Sequence, residues 1–175
     1  SFMSKQSCQT LDDFTFKVSL DEYKTPYFSK RPNVPSNITY PPVLAVPTTA
    51  GTGSEANGTM LIKKDSTKLV LSNKNVIPKC VFFDSDFLVT LPLPILFYCA
   101  VDAFVHGFES YCKPNNSLYI NSLCMECMKT VFKNISTCLD VNATNRKQAL
   151  TDMLWASHMG GICLTNSSLG LIHSM

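Results

Sequence analysis

A chain of 175 residues, 45% apolar and 16% charged, can bury a core without disulfides or metals and reads as one domain or two small ones. Its formal net charge of +2, with no basic stripe around the adjacent Lys63 and Lys64, excludes a nucleic-acid footprint. The longest mostly apolar run, Phe87 to Val101, is broken by Thr90, Pro92 and Pro94 and falls short of the ~20 residues of a membrane helix, so neither nucleic acid nor membrane is expected as a partner.

Residues 1 to 42 carry little periodicity, and Pro26, Pro32, Pro35, Pro41 and Pro42 break the stretch from Tyr23 onward into loop. Val43-Leu-Ala-Val46 reads as a short buried strand, stopped by Pro47 and followed by Thr48-Thr-Ala-Gly-Thr-Gly-Ser-Glu55. Thr59 to Ile62 and Lys68 to Leu71 predict a hairpin or paired strands. Val81-Phe-Phe83 reads as another buried strand, ended by Asp84-Ser-Asp86. Past Thr90 the pattern turns helical. With Pro92 or Pro94 near its start, where proline is tolerated, Ile95 to Cys112 predicts a helix that is apolar almost all round and hence buried. Leu118 to Cys138 predicts a second helix and Arg146 to Met159 a third, with Gly160-Gly161 a candidate break before further helix. The expected fold class is α/β up to about residue 90, followed by an all-α part.

Of the eight cysteines, the only close pair is Cys124-Met-Glu-Cys127. It lies in a helix-like segment with no second pair and no histidine at finger spacing, so it reads as structural thiols rather than a redox or zinc site. The absence of framework spacing suits a reducing compartment; a cytoplasmic location is expected, with the mitochondrial matrix as the alternative. The sequons at Asn134 and Asn142 read as chance occurrences in an Asn- and Ser-rich chain, and Ser1 to Lys5 does not open a signal peptide.

Three groups of residues carry chemistry. Gly51-Thr-Gly53-Ser-Glu-Ala56 follows a strand and formally satisfies G-x-G-x-x-G/A. Glycines there let backbone N–H groups approach a pyrophosphate, and Thr48, Thr49, Thr52 and Ser54 add hydroxyls. A purely structural strand-to-helix turn explains the same residues, and the acidic residue such fingerprints place about 20 positions on is not evident. Asp102, His106 and Glu109 lie at i, i+4 and i+7, one polar stripe on an apolar helix. A buried carboxylate must be paired. A divalent cation shared with the imidazole would pair it, and a direct Asp–His hydrogen bond in the helix core would do so equally well. His173, in Leu169-Gly-Leu-Ile-His173, and His158 each read alone as core histidines.

Taken together, Val46-Pro-Thr-Thr-Ala-Gly-Thr-Gly-Ser-Glu55, Asp102-x-x-x-His106-x-x-Glu109-Ser-Tyr111, Ala156-Ser-x-Met159-x-Gly161 and Leu169-Gly-Leu-Ile-His173-Ser-Met175 resemble, in order and spacing, the iron-containing alcohol dehydrogenase family. Asp84 and Thr90-Leu-Pro92 sit where that family has its D-P…T-L-P segment. The resemblance runs from about residue 40 to the end.

The resemblance implies a Rossmann-like nucleotide-binding α/β domain followed by a helical metal domain. Residues 1–90 would then be the C-terminal part of the first, and 91–175 the N-terminal part of the second. It implies a metal held by one Asp and three His, with Asp102, His106 and His173 matching three of them and the fourth falling beyond Met175. It implies Fe2+, with Zn2+ as the alternative, and NAD or NADP. Thr48, Thr49, Gly51, Thr52 and Gly53 would contact the pyrophosphate and nicotinamide, Lys68 would lie near the nicotinamide ribose, and Leu91 would belong to the T-L-P contact segment. The substrate implied is a small alcohol or aldehyde, and the full-length parent is expected to be a homo-oligomer. The family's G-G-G-S-x-x-D-x-x-K turn would place its serine at Ser1, with Ser4 and Ser7 departing from the Asp and Lys. On this basis the chain is expected to be an internal fragment, truncated at both ends and inactive alone. Two alternatives stay open: a non-catalytic remnant of such an enzyme, and a hydroxyacid–oxoacid transhydrogenase of the same superfamily.

Overall fold

Two short strands and three long helices frame the molecule in a computed structural model that describes residues 41–64, 67–72 and 77–167. Strand β1 (Leu44–Ala45) pairs in parallel with β4 (Cys80–Val81), Leu44 opposite Cys80 and Ala45 opposite Val81. The ladder is extended by the Lys79 N–H donating to the Val43 carbonyl and the Phe82 N–H to the Ala45 carbonyl. Between them β2 (Thr59–Lys64) and β3 (Thr67–Ser72) form an antiparallel pair, with register running from Thr59↔Ser72 to Lys64↔Thr67. The expected strand pairing is thus present and longer than its apolar residues suggest. The strands read as buried runs are shorter, and Val43, Leu44, Val46 and Phe82 are exposed.

After β4 the Asp84 carboxylate accepts from the Asp86 N–H, a side-chain turn that opens the single-turn helix α1 (Asp86–Val89). Helix α2 (Leu93–Tyr111) starts at Pro92 with Pro94 in its first turn, where the missing N–H costs no helical bond. Its buried residues are Leu96, Ala100, Ala103, His106, Gly107, Glu109 and Ser110, and all but Glu109 recur at helical spacing along one side. The expectation of a helix buried all round is corrected: Ile95, Phe97, Tyr98, Val101, Phe108 and Tyr111 are exposed. Apolar residues occupy both faces, but within Tyr40–Met175 the other long helices pack on only one.

The Ser117 hydroxyl accepts from the Ile120 N–H and caps helix α3 (Leu118–Leu139). Ile120, Cys124, Cys127, Val131, Asn134 and Cys138 form its buried stripe. Arg146 begins helix α4 (Arg146–Ser167), its Nε donating to the Cys138 carbonyl at 2.9 Å and its Nη1 to the Val89 carbonyl at 3.3 Å. One buried guanidinium thereby satisfies terminal carbonyls of α3 and α1. α4 is the centre of the assembly, packing on α2, α3, α1 and the turn at Ser54–Ala56. Its Leu150, Met153 and Leu154 are essentially fully buried, each contributing about 2–3 kcal/mol of transfer free energy. Gly160-Gly161 does not break α4, correcting the expected interruption: Gly160 sits against the His106 side chain and the Ala103 carbonyl, and Gly161 against Gly53. Close packing, not chain reversal, is what these glycines permit.

The Cys124/Cys127 pair is buried and free, as are Cys138 and Cys163, and no disulfide joins the described cysteines. The Cys127 thiol donates to the Ala103 and Ala156 carbonyls. Burial pushes Cys127 from an ordinary 9.0 up to about 12 and Cys138 up to about 11, and raises Cys163 as well. Above pH 9.0 the unfolded chain loses these protons while the folded one keeps them. The stability they confer is therefore complete below that pH and falls as pH rises toward about 12. Denaturant titrations across alkaline pH are expected to show this decline, with a shallower slope in Cys127→Ala.

Candidate functional site

The site is assembled around the turn that leaves β1. Ala50, Gly51 and Gly53 are buried in it, while Thr48, Thr52 and Ser54 lie on its exposed rim and Thr49 is half-buried. The Ser54 N–H and hydroxyl meet the Thr52 hydroxyl at 3.3 and 3.2 Å. The turn leads into a single 3-10 turn, Ser54–Ala56, not into the long helix a dinucleotide fingerprint would open. Any anion held here would therefore be met by turn N–H groups and hydroxyls rather than by a helix dipole.

Two helices clamp the turn. On one side Gly51 lies directly on Cys99 of α2, where a side chain on Gly51 would overlap the Cys99 backbone. On the other, Gly53 adopts φ 56°, a left-handed conformation open to glycine at little cost. Its N–H donates to the Ser157 hydroxyl of α4 at 3.1 Å. The Gly53 carbonyl accepts from the Ala56 N–H and the Asn57 amide and lies where a Gly161 side chain would have to go. Glu55 is only 7% exposed; its Oε1 meets His158 Nδ1 at 3.2 Å. A carboxylate only accepts, so Nδ1 carries the proton in that contact. The His158 ring packs edge-on against Phe83 and Trp155.

One helical turn from Cys99, Asp102 and His106 face one another on α2, Asp102 Oδ1 lying 3.6 Å from His106 Nε2. His106 is buried and the Asp102 side chain about one-third exposed. Burial and then the Asp102 charge raise the pKa of the Cys99 thiol. Glu109 is buried further along the same helix. The expected pair is thus brought together and set beside the turn. His173 lies outside the described residues, and among those described no group of three or more His, Cys, Asp or Glu is placed to share a metal ion. Of the remaining expected contacts, Leu91 packs against the core cluster that contains Ala50 of the turn, and Lys68 stands on β3 opposite Lys63.

Two family models cover most of the sequence in succession: iron-containing alcohol dehydrogenase over residues 15–85, and the C-terminal part of the Fe-containing alcohol dehydrogenase family over residues 97–175. The chain belongs to the iron-containing alcohol dehydrogenase family. This family member is 32% identical over 135 residues to an aldehyde-alcohol dehydrogenase of Clostridium acetobutylicum, covering 76% of this chain and 16% of the relative. It is 26% identical over 159 residues to an NADPH-dependent butanol dehydrogenase of Clostridium saccharobutylicum, covering 90% of this chain and 39% of the relative. The iron-containing alcohol dehydrogenase of Thermococcus thioreducens superimposes with a TM-score of 0.69 at 28% identity, over 76% of this chain and 34% of that one. The chain therefore spans well under half the length of these relatives, and its fold matches the superimposed part of the Thermococcus thioreducens structure. No described helix is long and apolar enough to cross a membrane.

Sequence reasoning gives no site role to Glu55, Ser157, His158 or Gly161. The signal available was Gly160-Gly161 inside an otherwise good helix, since such glycines mark a close approach as readily as a break.

Proposed function

We propose that this chain contributes the dinucleotide-contacting turn and part of the metal site of a metal-dependent oxidoreductase that moves hydride between a small alcohol and NAD(P). The observation that carries this is the Asp102–His106 separation of 3.6 Å. It places a carboxylate and a buried imidazole next to one another on one helix face, beside Cys99, on which the glycine turn lies. A carboxylate with an imidazole is a donor set that suits Fe2+ or Zn2+. Asp102 and His106 would hold the ion, joined by His173. Bound there, a divalent cation would supply Lewis-acid polarisation of an alcohol oxygen, and a nicotinamide the hydride acceptor.

The chain's own residues have distinct tasks. Asp102 and His106 present a carboxylate and an imidazole from one rigid helix face. Thr48, Thr49, Gly51, Thr52 and Gly53 bring backbone N–H groups and hydroxyls to the pyrophosphate, with Lys68 and Leu91 completing the cofactor contacts. Gly51 on Cys99 fixes the distance between turn and metal pair. Residues up to about 90 belong to the dinucleotide-binding half and 91–175 to the metal half. Relatives named as alcohol dehydrogenases, one of them NADPH-dependent, support the alcohol and nicotinamide assignments.

The test is NAD(P)-linked oxidation of short alcohols by the protein encoded by the complete reading frame, stripped of metal and reloaded. Turnover is expected to return with Fe(II) or Zn(II) and to be lost in Asp102→Asn. Turnover indifferent to chelation and to that substitution would refute the proposal.

A further inference from the structure

We infer that Glu55 and His158 are positioning residues, forming a latch that fixes the Thr48–Glu55 turn on helix α4 in the shape that receives the dinucleotide phosphates. The latch rests on the proposed cofactor role of the turn and adds to it two residues not themselves expected to touch the cofactor.

The geometry is specific. Gly53 and Gly161 bring the two backbones too close for a side chain on either, so the turn and α4 are in direct contact at one point. A single contact point leaves the turn free to pivot. The Gly53 N–H to Ser157 hydroxyl bond, at 3.1 Å, adds a second tie. The Glu55–His158 contact, at 3.2 Å, adds a third, two residues along the turn and one along the helix. Ties at three separate points define an orientation. Glu55 and His158 are also 6% and 21% exposed in their side chains, so the contact is largely shielded from water, where a charge-assisted hydrogen bond is stronger than at an open surface. His158 is itself held by ring-edge packing on Phe83, just beyond β4, and on Trp155. One imidazole therefore links the turn, the end of the parallel strand pair and α4. The Thr48, Thr52 and Ser54 hydroxyls remain on the exposed rim, available to a ligand while the buried side of the turn is fixed.

The test compares wild type, His158→Leu, His158→Gln and Glu55→Leu in the full-length protein. Two readouts are used: hydrogen exchange of amides 51–57 without ligand, and NADH and NADPH affinity by fluorescence titration. His158→Leu leaves the Glu55 carboxylate without its donor. It is expected to speed exchange in the turn about tenfold and to weaken dinucleotide binding by a similar factor, the size of one lost charge-assisted hydrogen bond. His158→Gln retains an N–H donor of similar reach and is expected to recover most of both, which a general packing defect would not do. Unchanged exchange in folded His158→Leu and Glu55→Leu overturns the latch. Faster exchange in protein whose wild type binds neither dinucleotide instead overturns the cofactor role, leaving only the mechanical contact. Should His158→Leu fail to fold, Glu55→Leu, which removes the acceptor oxygens, decides between the same outcomes.

Discussion

Asp102→Asn is expected to lower affinity for Fe(II) or Zn(II) by at least about 100-fold, exceeding the 10–100-fold typical of residues that only orient a ligand. The amide keeps the size of the carboxylate but loses its charge and offers a poor donor to a hard cation. The Asp102 side chain is about one-third exposed, so the exchange should leave the metal-free fold intact, and this separates ligation from stability. The signature is thermal. A ligand present at 100 times its dissociation constant stabilises by about 2.7 kcal/mol, so wild type should melt higher with metal than without. Asp102→Asn should match wild type without metal and gain little with it. His106→Ala should lose the metal response too. Because His106 is buried under Gly160, that variant should also be less stable when metal-free, by about 2–3 kcal/mol for the cavity. An Asp102→Asn protein that still gains the full metal shift would remove Asp102 from the ligand set.

The second large effect runs against helix propensity. Alanine favours a helix interior over glycine by about 1 kcal/mol, so on local grounds Gly161→Ala should stabilise α4. In the fold, the added carbon would run into the Gly53 carbonyl. Overpacking of this kind costs about 1–3 kcal/mol, and the neighbouring atom is backbone, which cannot swing aside. Because the clash is with backbone, the cost falls at the upper end of that range, and set against the propensity gain it leaves a net loss of about 2 kcal/mol, hence a Tm lower by roughly 4–8 °C for a chain of this size. Gly53→Ala should lose more. It meets the Ser157 carbonyl and in addition places a side chain in the left-handed region, about 1–2 kcal/mol by itself. Both are measured by thermal melting, and a Gly161→Ala protein as stable as wild type or more so would contradict the docking of the turn on α4.

Much of the architecture is legible in the residues because local chemistry sets it. Pro92 and Pro94 mark the start of α2, Ser117 caps α3, and the stripe from Ile120 to Cys138 repeats at helical spacing. The Asp102/His106 pair is legible for the same reason, since i and i+4 share a helix face whatever surrounds them. What the pattern does not supply depends on contacts distant in sequence. Whether α2 is covered on every side depends on its neighbours, and half its apolar residues are exposed. Gly160-Gly161 reads as a break because helix propensity is local, whereas Gly53, more than a hundred residues away, is what needs the space. Glu55 and His158 are invisible as a pair for that reason: neither has a sequence neighbour that hints at the other. The strand pair β1/β4 is legible in place but not in burial, because a short apolar run carries no record of which face is covered.

The central claim is that Asp102 and His106 are ligands of one cation. X-ray absorption at the iron edge on Fe(II)-loaded protein tests it most directly. The prediction is a first coordination sphere of oxygen and nitrogen with the outer-shell scattering of imidazole, weakened in His106→Ala and altered in Asp102→Asn. A spectrum dominated by sulfur, or one identical in wild type and both variants, would contradict it.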